Sequence, residues 1–335
     1  SKVKKLNLNE LIDNNFLVLT TYISAPDIYD KITDKNKVDL IIHDEAHRAE
    51  RHIYSTAFSK ITDNIGHCIN LSATLPLCYE ADYEYSLLRG IKDGVVRDFN
   101  MHMFLCIDIE KEQSKTFIEI VELLKNSHPE VKLLVYTAEA NTDDFNSSSV
   151  KTFLSLNEKE VENKGWWIKG LNEETMKERD SILKDFQIHR EVSILVSCKT
   201  ISEGVDLKNA NCMMAWDASK SPIDNIQRVG RVLRLYKNAN GTIASKEKQT
   251  PSTIMIPIFL TRSKFEDCGG DKERIHNTLS QEISLNCRGD FMPFVEVCTA
   301  LKSELADEDE DLFNELINMQ VKVKSSQNIV ECISS

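Results

Sequence analysis

"LIIHDEAHRAE", residues 40–50, runs an apolar segment into two adjacent carboxylates, Asp44 and Glu45, with His47 just beyond. Desolvating a carboxylate at the end of a buried strand is costly. A bound divalent cation offsets that cost and takes hard oxygen ligands. The segment 38–43 therefore reads as a strand with its acids just past the carboxyl end, where open α/β sheets bind ligands. A plainer reading stays open beside it, in which Asp44 or Glu45 caps the helix after a strand-to-helix junction.

Working outward, short apolar runs alternate with longer segments of helical period, the pattern of parallel sheets covered by helices. A first series of strands is expected at 16–22, 38–43, 67–72 and 101–109, and a second at 131–137, 165–170, 192–197, 211–216 and 252–260. Two α/β units fit these better than one. The seam falls in the polar "EKEQS", 110–114, and 237–250 reads as a loop. Beyond about 261 the strand pattern gives way to amphipathic helical segments, broken by the acidic run "ADEDED" at 306–311, a solvated surface stretch.

Composition bounds the function. The 335 residues suffice for about two domains. With 41 Lys and Arg against 53 Asp and Glu, the net charge of −12 argues against a uniformly basic, nucleic-acid-wrapping surface, though not against a local basic groove. The nine cysteines include no Cys-x-x-Cys pair, which suits a reducing compartment and gives no zinc site. No run is long and apolar enough to span a membrane, and "SKVKKLNLNE" lacks a signal-peptide core. An intracellular protein without a membrane partner is the expectation; cytoplasm, nucleus and viral factory are not distinguished.

The acids imply phosphoryl chemistry: Asp44 would hold Mg²⁺ through its water shell, and Glu45 would orient the attacking water. His47 sits on the same loop. Far along the chain, "QRVGRVLR" spaces Gln227, Arg231 and Arg234 at i, i+4 and i+7, one stripe if the segment is a helix. Two guanidiniums so placed suit a phosphate chain. A basic helix making surface salt bridges is the alternative.

"DEAH" at 44–47, "SAT" at 72–74 and "QRVGRVLR" at 227–234 stand in the order of motifs II, III and VI of superfamily 2 helicases, and "SEGVDL" at 202–207 and "KLLVYTAEA" at 132–140 resemble motifs V and IV. The resemblance, which covers 16 to about 260, implies two RecA-like domains in tandem, 1–110 and 111–262; the amphipathic pattern beyond makes 263–335 a helical carboxyl-terminal extension. It implies ATP and Mg²⁺ as cofactors. It makes Ser72 and Thr74 the link between hydrolysis and nucleic-acid movement, and Gly204 and Asp206 nucleotide contacts near the ribose. Gln227, Arg231 and Arg234 become sensor and finger residues reaching the γ-phosphate from the second domain. Thr21 and Ser24, in "TTYIS", resemble a segment that touches the nucleic-acid backbone, as do Thr137, Cys198, Lys199 and Thr200 at the matching edge of the second domain. Those hydroxyls could equally just end strands.

"DEAHRAE", "YEYSLLRGIKDGVV" at 83–96 and "SPIDNIQRVGRVLR" resemble the group holding the motor subunits of type I and type III restriction enzymes and related viral helicases, which favours DNA over RNA. One motif is absent: the eleven glycines include no Gly-Lys-Ser or Gly-Lys-Thr, so the phosphate-cradling loop is expected on a preceding segment or a completing chain, with the first domain amino-terminally incomplete. Three readings follow: an ATP-dependent helicase or translocase core, inactive by itself without that loop; a duplex translocase subunit of a restriction-type nuclease; or a non-catalytic helicase-like scaffold.

Overall fold

The structure, a computed structural model, describes residues 17–30, 32, 37–46, 52–72, 81–83, 85, 87–107, 113–137, 149–172, 174–188, 190–198, 207, 209–216, 222–238, 240–245, 249–260, 274, 277–278, 281, 321–324 and 329–332. It divides into two compact units, Ser1–Glu84 and Tyr85–Ser335.

The first unit runs α1 (Ala25–Tyr29), β1 (Val38–Asp44), α2 (His52–Ser59) and β2 (Ile65–Leu71). β1 and β2 pair in parallel, with His43 opposite Asn70 and Asp44 opposite Leu71. Side chains alternate across a strand, so Ile41 and His43 share one face and Leu40 and Ile42 the other. The first face packs against a cluster of Ala25, Tyr29, Ile32, Ala57 and Ile61. On the other, Leu40, Ile42, Ile69 and Leu71 are 45% to 57% exposed. An unbroken Leu-Ile-Ile run is the pattern of a strand covered on both faces, yet among the described residues only one face of β1 is covered.

The segment 16–22 is not a strand in its described part: residues 17–21 pair with no strand, and the chain turns into α1. A strand lives on its cross-strand ladder. Here the Thr21 carbonyl instead accepts the Ser24 and Ala25 amides at 3.0 and 2.9 Å.

The second unit begins with α3 (Leu87–Lys92) and β3 (Phe99–Ile107), followed by α4 (Gln113–Ser127), β4 (Val131–Tyr136), α5 (Val150–Asn163), β5 (Trp167–Leu171), α6 (Arg179–Phe186), β6 (Val192–Ser197), β7 (Cys212–Ala215), α7 (Pro222–Val232) and β8 (Ser252–Leu260). Two late strands, β9 (Val321–Lys324) and β10 (Ile329–Cys332), complete one sheet of order β10-β9-β3-β8-β7-β4-β6-β5, parallel except for the β9–β10 pair. β4 and β6 are buried at every position, which is why they read as unbroken apolar runs.

α5 starts at Ser149, whose side chain accepts the Thr152 amide, and buries Val150, Phe153, Asn157 and Val161 at helical spacing. Phe117 of α4 meets Phe153 edge-on at 5.0 Å, and Phe153 meets Trp216 at 4.9 Å. At Gly170 a Cβ would lie 2.6 Å from Leu154 and 2.7 Å from Val150, so the glycine lets α5 settle directly on β5.

Two placements differ from the sequence reading. β3, grouped there with the first series, pairs with β8 from Phe99↔Ser252 to Ile107↔Leu260, and the units divide after Glu84, ahead of the 110–114 seam. Apolar pattern shows that a strand exists, but not which sheet it joins. In 263–335, expected to be helical, the described residues include helical positions at 274, 277–278 and 281 but also β9 and β10. "VKVK" alternates apolar and basic side chains, the period of a strand.

Candidate functional site

At the end of β1 the chain makes an abrupt change. His43, 5% exposed, turns inward, with its Nδ1 2.7 Å from Asn70 Oδ1 and the Phe58 ring edge-on at 5.0 Å. The next residue, Asp44, points the other way and is exposed, while its backbone carbonyl accepts the Tyr22 hydroxyl at 2.7 Å. Glu45 then takes φ 55°. That left-handed conformation costs a non-glycine residue about 1–2 kcal/mol, and such strain concentrates at functional positions. The Asp44 carboxylate accepts the Glu45 amide at 3.1 Å. The two acids therefore leave one strand end along different backbone directions, one of them fixed locally by hydrogen bonding.

Parallel pairing brings a second motif to the same edge. Asp44 lies opposite Leu71, so the half-buried Ser72 follows β2 at the end of the ladder from which Glu45 leaves β1. His47 and Thr74 lie outside the described residues. Thr21 and Ser24 are exposed, with Thr21 Oγ1 3.4 Å from Ser24 Oγ.

In the second unit α7 carries Gln227 and Arg231, both half-buried. The helix ends at Val232, so Arg234 does not share the i, i+4, i+7 stripe expected of a longer helix. Arg97, a residue the sequence reading passed over, holds the segment at the helix end. Its backbone amide donates to Leu233 O at 2.7 Å, and its guanidinium donates to Arg234 O at 2.7 Å, Val232 O at 2.9 Å and Ala210 O. These contacts take carbonyls that would otherwise be left open at the helix end.

Arg228, between the two motif residues, also went unremarked. Only 5% exposed, it stacks over the Tyr136 ring at 4.8 Å and donates to Cys198 O at 3.2 Å, tying α7 to the carboxyl ends of β4 and β6. Burial pushes the Tyr136 phenol up to about 12, against the pull of Arg228 and Arg231. Its position inside "QRVGRVLR" was the available signal; nothing local marks Arg97.

Two groups expected to face nucleic acid are placed inward: Thr137 is 0% and Cys198 4% exposed. At Gly230 an added Cβ would meet nothing within 4 Å, so the unit's own packing does not require that glycine. Gly204, Asp206, Lys199 and Thr200 lie outside the described residues.

No cluster of three or more His, Cys, Asp or Glu side chains is placed to hold a metal among the described residues. An exposed carboxylate such as Asp44 nonetheless fits Mg²⁺, an ion that keeps several waters and takes one or two protein carboxylates plus substrate phosphates. Nor is any helix among the described residues long and apolar enough to cross a membrane.

Residues 114–236 match the family described as the helicase conserved C-terminal domain. The chain is 26% identical over 272 residues to "Probable helicase A859L" of African swine fever virus (strain Badajoz 1971 Vero-adapted), covering 73% of this chain and 28% of the viral protein. The version from the isolate Pig/Kenya/KEN-50/1950 gives 26% over 273 residues. These likenesses support a superfamily 2 helicase core. In fold the chain resembles the ATP-dependent Type ISP restriction-modification enzyme LlaBIII bound to DNA, with a TM-score of 0.51 and 17% identity over 72% of this chain and 19% of that one. The helicase core spans about a quarter of the length of its viral relatives.

Proposed function

We propose that this helicase core belongs to a nucleic-acid-stimulated ATPase that couples hydrolysis to movement along nucleic acid, with DNA favoured. The observation that carries this reading is the β1–β2 pairing, in which Asp44 lies opposite Leu71, so that Glu45 and Ser72 each follow the same end of the ladder. Acids meant only to cap a helix have no need of a third motif residue there, nor of the positive φ of Glu45.

Bound Mg²⁺ would supply charge neutralisation on the phosphate oxygens. Asp44 would hold the ion's water shell, and the Glu45 carboxylate would orient the attacking water and take its proton. Gln227, Arg231 and Arg234 would bind the phosphate chain as charge spreads over the transferred group, and Gly204 and Asp206 would sit by the sugar. His47 would sense the phosphate from the loop of the acids, and Ser72 and Thr74 would relay the nucleotide's state. Thr21, Ser24, Thr137, Cys198, Lys199 and Thr200 would contact backbone phosphates, which gives low sequence preference. Thr137 and Cys198 are buried, with the Thr137 amide donating to Ser197 O and the Cys198 carbonyl accepting from Arg228, so contact by either would require these strand ends to rearrange on binding.

The sequence holds no Gly-Lys-Ser or Gly-Lys-Thr. We therefore assign the phosphate-cradling loop to a completing segment or subunit, without which these 335 residues hydrolyse ATP negligibly. The test is phosphate release by the native polypeptide, as its source makes it, with single-stranded DNA, duplex DNA or RNA present. Glu45→Gln should lower the stimulated rate about 10²- to 10⁴-fold while ATP still binds. A native polypeptide that hydrolyses no ATP with any of these nucleic acids, or a Glu45→Gln variant at full rate, would overturn the reading.

A further inference from the structure

Arg97 is the least expected charged group in the molecule. It is 2% exposed, no carboxylate pairs with it among the described residues, and burial pulls its guanidinium down to about 10. A buried unpaired charge is costly unless hydrogen bonds compensate it. The guanidinium's compensation comes from the carbonyls of Ala210, Val232 and Arg234, and the backbone amide of Arg97 donates to Leu233 O between the last two. A cation among the last carbonyls of a helix also meets the negative end of its dipole. Ser252 supports the arrangement, donating its hydroxyl to Val232 O at 2.6 Å.

We propose that Arg97 is a positioning residue for the α7 arginines. By drawing the carbonyls of 232–234 onto the strand entry of β3, it ends α7 one residue after Arg231 and turns Arg234 out of the helix. Arg231 then projects from the last helical turn, and Arg234 from the non-helical segment held by the Arg97 side chain itself. A lysine has one donor centre where arginine has a planar fork, so it cannot hold the carbonyls of Ala210, Val232 and Arg234 in the same plane. This inference rests on Arg231 and Arg234 acting on the phosphate chain.

The test is a double-mutant cycle on the native polypeptide, reading kcat and KM for ATP with DNA present. Arg97→Lys should lower kcat about ten- to hundredfold, as expected for a group displaced by about an ångström, with KM nearly unchanged. In an Arg231→Ala/Arg234→Ala background the same substitution should change kcat by less than about twofold, because there is nothing left to position. A purely structural role would give an equal loss in both backgrounds, and that result overturns the proposal, as does an unchanged kcat in the first. Should Arg97→Lys fail to fold, Ser252→Ala, which loosens the same Val232 carbonyl, replaces it in the cycle with a smaller kcat loss under the same criterion. An unsubstituted polypeptide without nucleic-acid-stimulated hydrolysis defeats the functional reading itself, whereas an active one with additive losses defeats only the role of Arg97.

Discussion

Glu45 and Gly230 show how single residues depart from what their own element would choose. Glu45 holds a left-handed backbone that an ordinary helix cap would not need. Gly230 occupies an exposed helical position where alanine would be more stable by about 0.5–1 kcal/mol. Nothing lies within 4 Å of a Cβ built there. Gly230→Ala should therefore raise the urea midpoint of unfolding. A variant less stable than the parent would contradict the open packing around it. The opening acids were legible in the sequence because charge at the end of an apolar run is conspicuous. His43 and Asn70 were not, because a hydrogen bond between residues 27 apart depends on register, and register is a property of the paired strands.

Elements were more legible than their partners. β4, β6 and β8 stand where apolar runs place them, and β4 and β6, buried at every position, leave no polar alternation. The 16–22 segment has a similar composition but no pairing strand among its described residues. β3 has the right residues but joins the second sheet. The end of α7 was hidden for the same reason: helical spacing runs on through Arg234, whereas the carbonyls at and past the helix end are taken by Arg97, 135 residues before Val232 in sequence, and by Ser252. The α5–β5 contact gives the sharpest test at this scale. Gly170→Ala should destabilise the second unit by about 1–3 kcal/mol, the usual cost of overpacking, because the new methyl meets Val150, whose branched side chain has little freedom to yield. Chemical denaturation measures this directly, and an unchanged midpoint would show that α5 shifts freely on the sheet.

For the whole molecule, stability should fall with acidification through a buried histidine of the second unit. His128 is buried, with its Nε2 2.8 Å from Thr253 Oγ1, and burial, then the nearby positive charge of Arg97, lowers it from 6.5 to about 4. Between those values the unfolded chain binds a proton that the folded chain does not, so stability drops as pH falls from about 6.5 to about 4 and levels off below. His128→Asn should flatten that part of the thermal-midpoint profile; an identical profile would place the acid sensitivity elsewhere. Composition excluded a uniformly basic surface but could not locate this histidine beside an arginine, a proximity created by the fold.

The central claim is that acids at the end of β1 and arginines of α7 serve one hydrolytic step. The most direct measurement is the DNA-stimulated single-turnover rate of ATP hydrolysis by the native polypeptide carrying Glu45→Gln, Arg231→Ala or both. Groups acting in one transition state give non-additive losses, so the double variant should be little slower than the slower single variant. Full activity in either single variant, or losses that multiply, would contradict the account.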